Sequence, residues 1–172
     1  MSEVLIERPE ACTVVERGAL VTVRRAMYDG AQLRELCDAV ARVAPSHPRG
    51  LVKLMTLRLS PAFPIGLDVE SSLAEMADTA RALDRMIVAH AVVLEYTGVR
   101  ATATRVLGRT IWTLVRPRAA MAIFDRISDA VGWLAPMART VGALDDPAAY
   151  MRCHREAERV LGPDPVVRRA AR

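Results

Sequence analysis

Met86-Ile87-Val88-Ala89-His90-Ala91-Val92-Val93-Leu94 is the most apolar run of the chain, nine residues without a charge. Nine residues suit a strand better than a core helix. An unbroken apolar run, rather than an alternating one, marks a strand buried on both faces, the kind found at the centre of a parallel sheet. On that reading the flanking sequence must supply neighbouring strands and two layers of cover.

Working back from this strand, Leu51–Leu59 (Leu-Val-Lys-Leu-Met-Thr-Leu-Arg-Leu) reads as a second strand, with Lys53 near its start. Between the two lies the proline-pinned loop Ser60-Pro61-Ala62-Phe63-Pro64-Ile65-Gly66. A helix follows it, with Asp68 as cap, Glu70 in the first turn, and Val69, Leu73, Met76, Ala77, Ala80 and Leu83 along one stripe. Nearer the start, Thr13–Val15 and Leu20–Arg24 flank the turn Glu16-Arg17-Gly18-Ala19 and predict a β-hairpin. Asp29 then caps a helix whose stripe is Leu33, Leu36, Cys37, Val40, Ala41 and Ala44, stopped by Pro45-Ser46-His47-Pro48-Arg49-Gly50.

Working forward, Glu95-Tyr96-Thr97-Gly98 reads as a turn and Val99–Val115 as a helix ended by Arg116-Pro117. Arg118–Phe124 is the last expected strand. Ser128 or Asp125 is expected to cap a helix through Ile127, Val131, Trp133 and Leu134. Asp146-Pro147, a cap followed by proline at the first helical position, opens a final helix to Leu161, closed by Gly162-Pro163.

The expected fold is therefore α/β: one domain over residues 1–162, with a central, mixed but mostly parallel five-stranded sheet. An N-terminal hairpin, flanking helices and an extra C-terminal helix complete it. Residues 163–172 form a Pro- and Arg-rich tail expected to fray.

The chain has 172 residues, 52% of them hydrophobic and only 4% aromatic. Its core is thus expected to be aliphatic, with little aromatic surface for stacking on bases. The net charge of +4 is carried almost wholly by arginine, since Lys53 is the only lysine. This falls short of the broad basic footprint of a nucleic-acid binder. Three widely spaced cysteines, Cys12, Cys37 and Cys153, form neither a disulfide framework nor a zinc spacing, and point to a reducing cytoplasm. Glu3, Glu7, Arg8 and Glu10 do not read as a secretory leader. The uncharged runs, none beyond nine residues, are too short for a spanning helix.

No linear catalytic motif stands out. Glu95 follows His90 at an odd offset, i+5, which puts them on opposite faces of one strand. His90 reads as a hydrogen-bonded core histidine. Glu95, at the carboxyl end of its strand, stands where ligands gather in α/β sheets and is a candidate ligand contact. Cys153 and His154 are adjacent and diverge on a helix, and Cys37 reads as core. No phosphate-binding glycine loop, catalytic carboxylate pair or nucleophile elbow is found, and neither metal nor cofactor is expected.

The sharpest surface feature is on 99–115. Arg105, Arg109, Trp112 and Arg116 follow i, i+4, i+7 and i+11, a compact Arg/Trp stripe of the composition that dominates protein interfaces. The acidic helix carrying Asp68, Glu70, Glu75 and Asp78 is a possible complement, within the molecule or in a second copy.

The element order over residues 12–134 resembles the STAS fold of anti-sigma-factor antagonists. Glu95-Tyr96-Thr97-Gly98-Val99-Arg100, Ile123-Phe124-Asp125 and Ala130-Val131-Gly132-Trp133-Leu134 are similar to segments of bacterial STAS-like proteins. The resemblance implies a regulatory module and a phosphorylated serine at the start of the second helix, here Ser71 or Ser72. In place of the family's Asp-Ser-Ser-Gly-like loop stands Pro64-Ile65-Gly66-Leu67. The expected function is a non-enzymatic regulatory or scaffolding module that binds a protein partner or itself. The alternatives are a carrier of a small apolar molecule or lipid, with Phe63, Ile65 and Leu67 at its cleft, and an enzyme whose site assembles in space around His90 or Glu95.

Overall fold

A computed structural model describes residues 2–58, 69–95 and 116–163, with side chains in the second helix from Glu75 onward. Six strands form one sheet in the order of the sequence: β1 (Glu3–Arg8), β2 (Ala11–Glu16), β3 (Ala19–Arg24), β4 (Leu51–Leu57), β5 (Ile87–Leu94) and β6 (Ala120–Phe124). The first three pair antiparallel; β3 to β6 run parallel. Four helices flank the sheet among the described residues: α1 (Gly30–Val43), α2 (Val69–Asp84), α3 (Ile127–Val141) and α4 (Pro147–Leu161). The α/β class, the single domain and the mostly parallel sheet agree with the sequence reading.

The sheet has six strands, not five. The additional strand, β1, is an edge strand on which Ile6 alone is buried. One inward side chain leaves no alternating pattern for a sequence reading to catch. The hairpin turn falls where expected, with Arg17 at φ 46° and Gly18 at φ 75°. Two successive left-handed residues are what a two-residue type I′ turn requires.

Side-chain alternation divides the core into two layers. Leu20 and Leu51 meet Leu33, Leu36 and Val40 of α1 and Leu83 of α2 on one face. Ala19, Val21, Val52, Leu54, Ala89, Ala91 and Val93 meet α3 and α4 on the other, around Leu134 and Tyr150. Small residues on β5 let α3 approach closely, consistent with a core almost free of aromatics.

The caps of α1 and α4 follow the sequence. Asp29 accepts from the Gln32 amide in a reciprocal capping box, and Asp146 accepts from the Ala148 amide with Pro147 at the first helical position. Helix α3 departs from it. Its cap is Arg126, without a side-chain hydrogen bond, rather than Ser128 or Asp125. The helix begins at Ile127, so Ser128 lies inside its first turn and Asp125 one residue ahead of the cap. The expected helix over 99–115 and the loop 60–66 lie outside the described residues.

Candidate functional site

The parallel strands bring Lys53 of β4 and His90 of β5 opposite one another in register. Strand alternation points both toward the α1/α2 side of the sheet. Lys53 is only 1% exposed, the one lysine of the chain and one of its largest fully buried side chains. Its amine lies 3.4 Å from the Tyr28 hydroxyl, to which it donates, and 5.1 Å from the Tyr28 ring centre.

The guanidinium of Arg24 stacks on the same ring at 3.6 Å. Arg24 is itself held by the carbonyls of Ala26 and Met27 and by Gln32 Oε1. Gln32 in turn donates to Glu10 at 2.8 Å. Two basic side chains therefore converge on one tyrosine, and among the described residues only the arginine is tied into a chain that reaches a carboxylate.

An uncompensated buried ammonium is expensive, and a lysine in this position commonly sheds its charge instead. Burial does push the Lys53 pKa below its usual value; Tyr28 opposes this, and the positive charge of Arg24 adds to it. Burial, assisted by Lys53, likewise holds the His90 imidazole well below its usual pKa. His90 Nε2 is sealed from solvent and has no hydrogen-bond partner. The sequence reading of His90 as a satisfied core histidine is thus corrected. Its chain neighbours Ala89 and Ala91 and its β6 partner Met121 are apolar, and its β4 partner Lys53 makes no hydrogen bond to that nitrogen.

Above these groups is a cavity of about 180 Å³. Its described walls include Leu33, Leu83 and Ile87 and four of the eight methionines, Met27, Met55, Met76 and Met121. Thioether side chains repack readily, so such walls adapt to ligand shape. Asp84 stands at the rim, but its carboxylate accepts from the Arg118 and Ala119 amides at 2.7 and 3.0 Å. It organises the entry to β6 rather than neutralising Lys53.

A second polar cluster lies on the other face, at the carboxyl ends of β4 and β5. His154 Nε2 is 3.1 Å from Thr56 Oγ1, and His154 Nδ1 is 3.3 Å from Glu158 Oε2. Glu158 also pairs with Arg58, which pairs with Glu95. Thr56, His154 and Glu158 repeat the hydroxyl, imidazole and carboxylate order of a nucleophilic triad. Thr56 is fully buried and His154 is 2% exposed, so the hydroxyl has no approach for a substrate. The cluster fastens α4 to the sheet. Glu95, the candidate ligand contact, is part of this ion-pair chain and faces away from His90, as the odd spacing requires.

The other sequence candidates are distributed as follows. Arg105, Arg109 and Trp112 lie outside the described residues. Arg116 is exposed, at φ 47°. Ser71 and Ser72 fall in the first turn of α2, where side chains are not described. Of the proposed acidic complement, Glu75 pairs with Arg34 and Asp78 with Arg81, so both already have partners within the molecule. Among the described residues no group of three or more His, Cys, Asp or Glu is placed to hold a metal ion, and no helix is long and apolar enough to cross a membrane.

Lys53, the centre of the cavity site, was not singled out from the sequence. Its one signal was chemical isolation, a single lysine set in an apolar strand. No protein-family model, curated protein or solved structure matches the chain.

Proposed function

We propose that this protein is a binding domain for a compact, mostly apolar small molecule that carries one polar group. The ligand's apolar body occupies the methionine-lined cavity, and its polar group meets Lys53, Tyr28 and His90. The observation that carries this reading is Lys53 itself, a buried amine beside a cavity, with Tyr28 rather than a carboxylate as its partner among the described residues. Apolar pockets with a few convergent polar groups are the usual form of small-ligand sites. The STAS-like element order supports a regulatory setting in which occupancy is passed to a protein partner. Arg105, Arg109, Trp112 and Arg116 are the residues such a partner would meet. The three free thiols favour a reducing compartment.

The test compares the wild type with Ala80→Phe, which fills the cavity from α2. Gently purified wild type should release a small apolar molecule on denaturation, whereas the variant should release none. Compounds of benzyl alcohol size should raise the melting temperature of the wild type alone. A wild type that yields no ligand and is unmoved by such compounds would overturn the reading.

A further inference from the structure

We infer that Lys53 binds aldehydes covalently and reversibly, as an imine formed inside the cavity. This inference rests on the proposed ligand site and names the chemistry of its ligand.

Nucleophilic attack requires a neutral amine. An exposed lysine is neutral only on the order of once in a thousand molecules at pH 7. Lys53 differs in two respects. It is 1% exposed, and the like charge of Arg24 stacks on the same Tyr28 ring that it faces. Each destabilises the ammonium, against the opposing hydrogen bond to Tyr28, and leaves the nitrogen lone pair available, which is how buried lysines become nucleophiles.

The surroundings supply the proton transfers. The Lys53 nitrogen attacks the aldehyde carbon, a C–N bond forms, and the carbonyl π electrons move to oxygen. His90 Nε2, unpartnered and neutral, accepts the first proton released by nitrogen. The Tyr28 hydroxyl protonates the alkoxide oxygen, and His90 then passes its proton to the resulting hydroxyl, which leaves as water as the C=N bond forms. The second proton on nitrogen returns to the Tyr28 oxygen, so both side chains end as they began. The overall change is amine plus aldehyde to imine plus water, with no oxidant or reductant. Apolar walls limit the water available for reversal.

Size narrows the ligand. The cavity of about 180 Å³ is near that of an engineered apolar cavity of about 150 Å³ that takes up benzene. The ligand class is therefore an aldehyde of benzaldehyde size, with an apolar body and no second charge. A carboxylate on the same ligand would instead favour the ammonium and suppress attack.

The chain offers two amines, Lys53 and the N-terminus, so the test needs no variant. Folded protein is incubated at pH 7 with benzaldehyde and sodium cyanoborohydride, which reduces an imine to a stable benzylamine but spares the aldehyde at this pH, and the adduct is located by peptide mapping. Benzyl alcohol, which cannot form an imine, is titrated in parallel. Benzylation of Lys53, reduced about tenfold by benzyl alcohol at ten times its dissociation constant, is the expected result. Labelling confined to the N-terminal amine while benzyl alcohol still binds would overturn the imine and leave the cavity reading standing. Absence of both labelling at Lys53 and benzyl alcohol binding would overturn the two together.

Discussion

Lys53 and His90 are register partners on adjacent parallel strands, and among the described residues neither forms an ion pair with a carboxylate. Two basic groups side by side in an apolar layer oppose each other's protonation. Stability should therefore depend on pH through both.

Consider Lys53 first. Its folded pKa is lowered, so between that value and the ordinary lysine pKa the unfolded chain binds more protons than the folded one. Its cost to stability is fully present below the folded value and fades as pH rises toward the ordinary lysine value. Lys53→Met should stabilise the protein, and by more at pH 7 than at pH 10. Thermal melts of both proteins at the two pH values check this.

The histidines act in the same sense. Burial lowers the pKa of His90, and it lowers that of His154 despite the opposing pull of Glu158. A histidine with a depressed folded pKa contributes stability above its unfolded value of about 6.5, and that contribution is lost as pH falls through and below it. Urea midpoints should rise between pH 5 and pH 7.5. His90→Leu should flatten that rise, because it leaves His154 as the one buried histidine.

The thiols should separate by burial. Burial raises Cys12 to about 11 and Cys153 to about 12, the latter also through its contact with Glu16. Cys37, half-buried on α1, is raised too, chiefly by burial, although Arg85 partly offsets it. With iodoacetamide at pH 8, Cys37 should alkylate first, and Cys12 and Cys153 should react only on unfolding. Mass spectrometry of timed samples reads the order directly.

Gly50, ahead of β4, holds a left-handed φ of 98°, and a Cβ there would lie 2.6 Å from Val88 Cγ1. Val88 sits at the register shift between β4 and β5. Gly50→Ala should lower stability by about 1–3 kcal/mol, through backbone strain and crowding against that strand. Chemical denaturation measures the loss.

Much of this fold was legible because its strongest signals are local. The unbroken apolar run of β5, the Arg17-Gly18 turn and the Asp29 and Asp146 caps each depend on residues within a few positions. What escaped is non-local. β1 buries one residue and borrows its stability from β2. His90 has the composition of a core residue, and only the placement of α1, α2 and β4 leaves its nitrogen without a partner. Lys53 was visible as a lone lysine, but its burial beside Tyr28 and Arg24 is a property of the assembled sheet. The Thr56, His154, Glu158 and Arg58 network joins positions from two distant parts of the chain, with no linear spacing to announce it.

The most direct test of the cavity is methyl NMR on protein labelled at the methionine methyl groups, titrated with benzyl alcohol. Met27, Met55, Met76 and Met121 line the cavity, whereas Met137 and Met151 lie on α3 and α4 across the sheet. Saturable shifts confined to the first four are the expected result. Unmoved signals, or shifts centred on Met137 and Met151, would contradict a ligand site over Lys53.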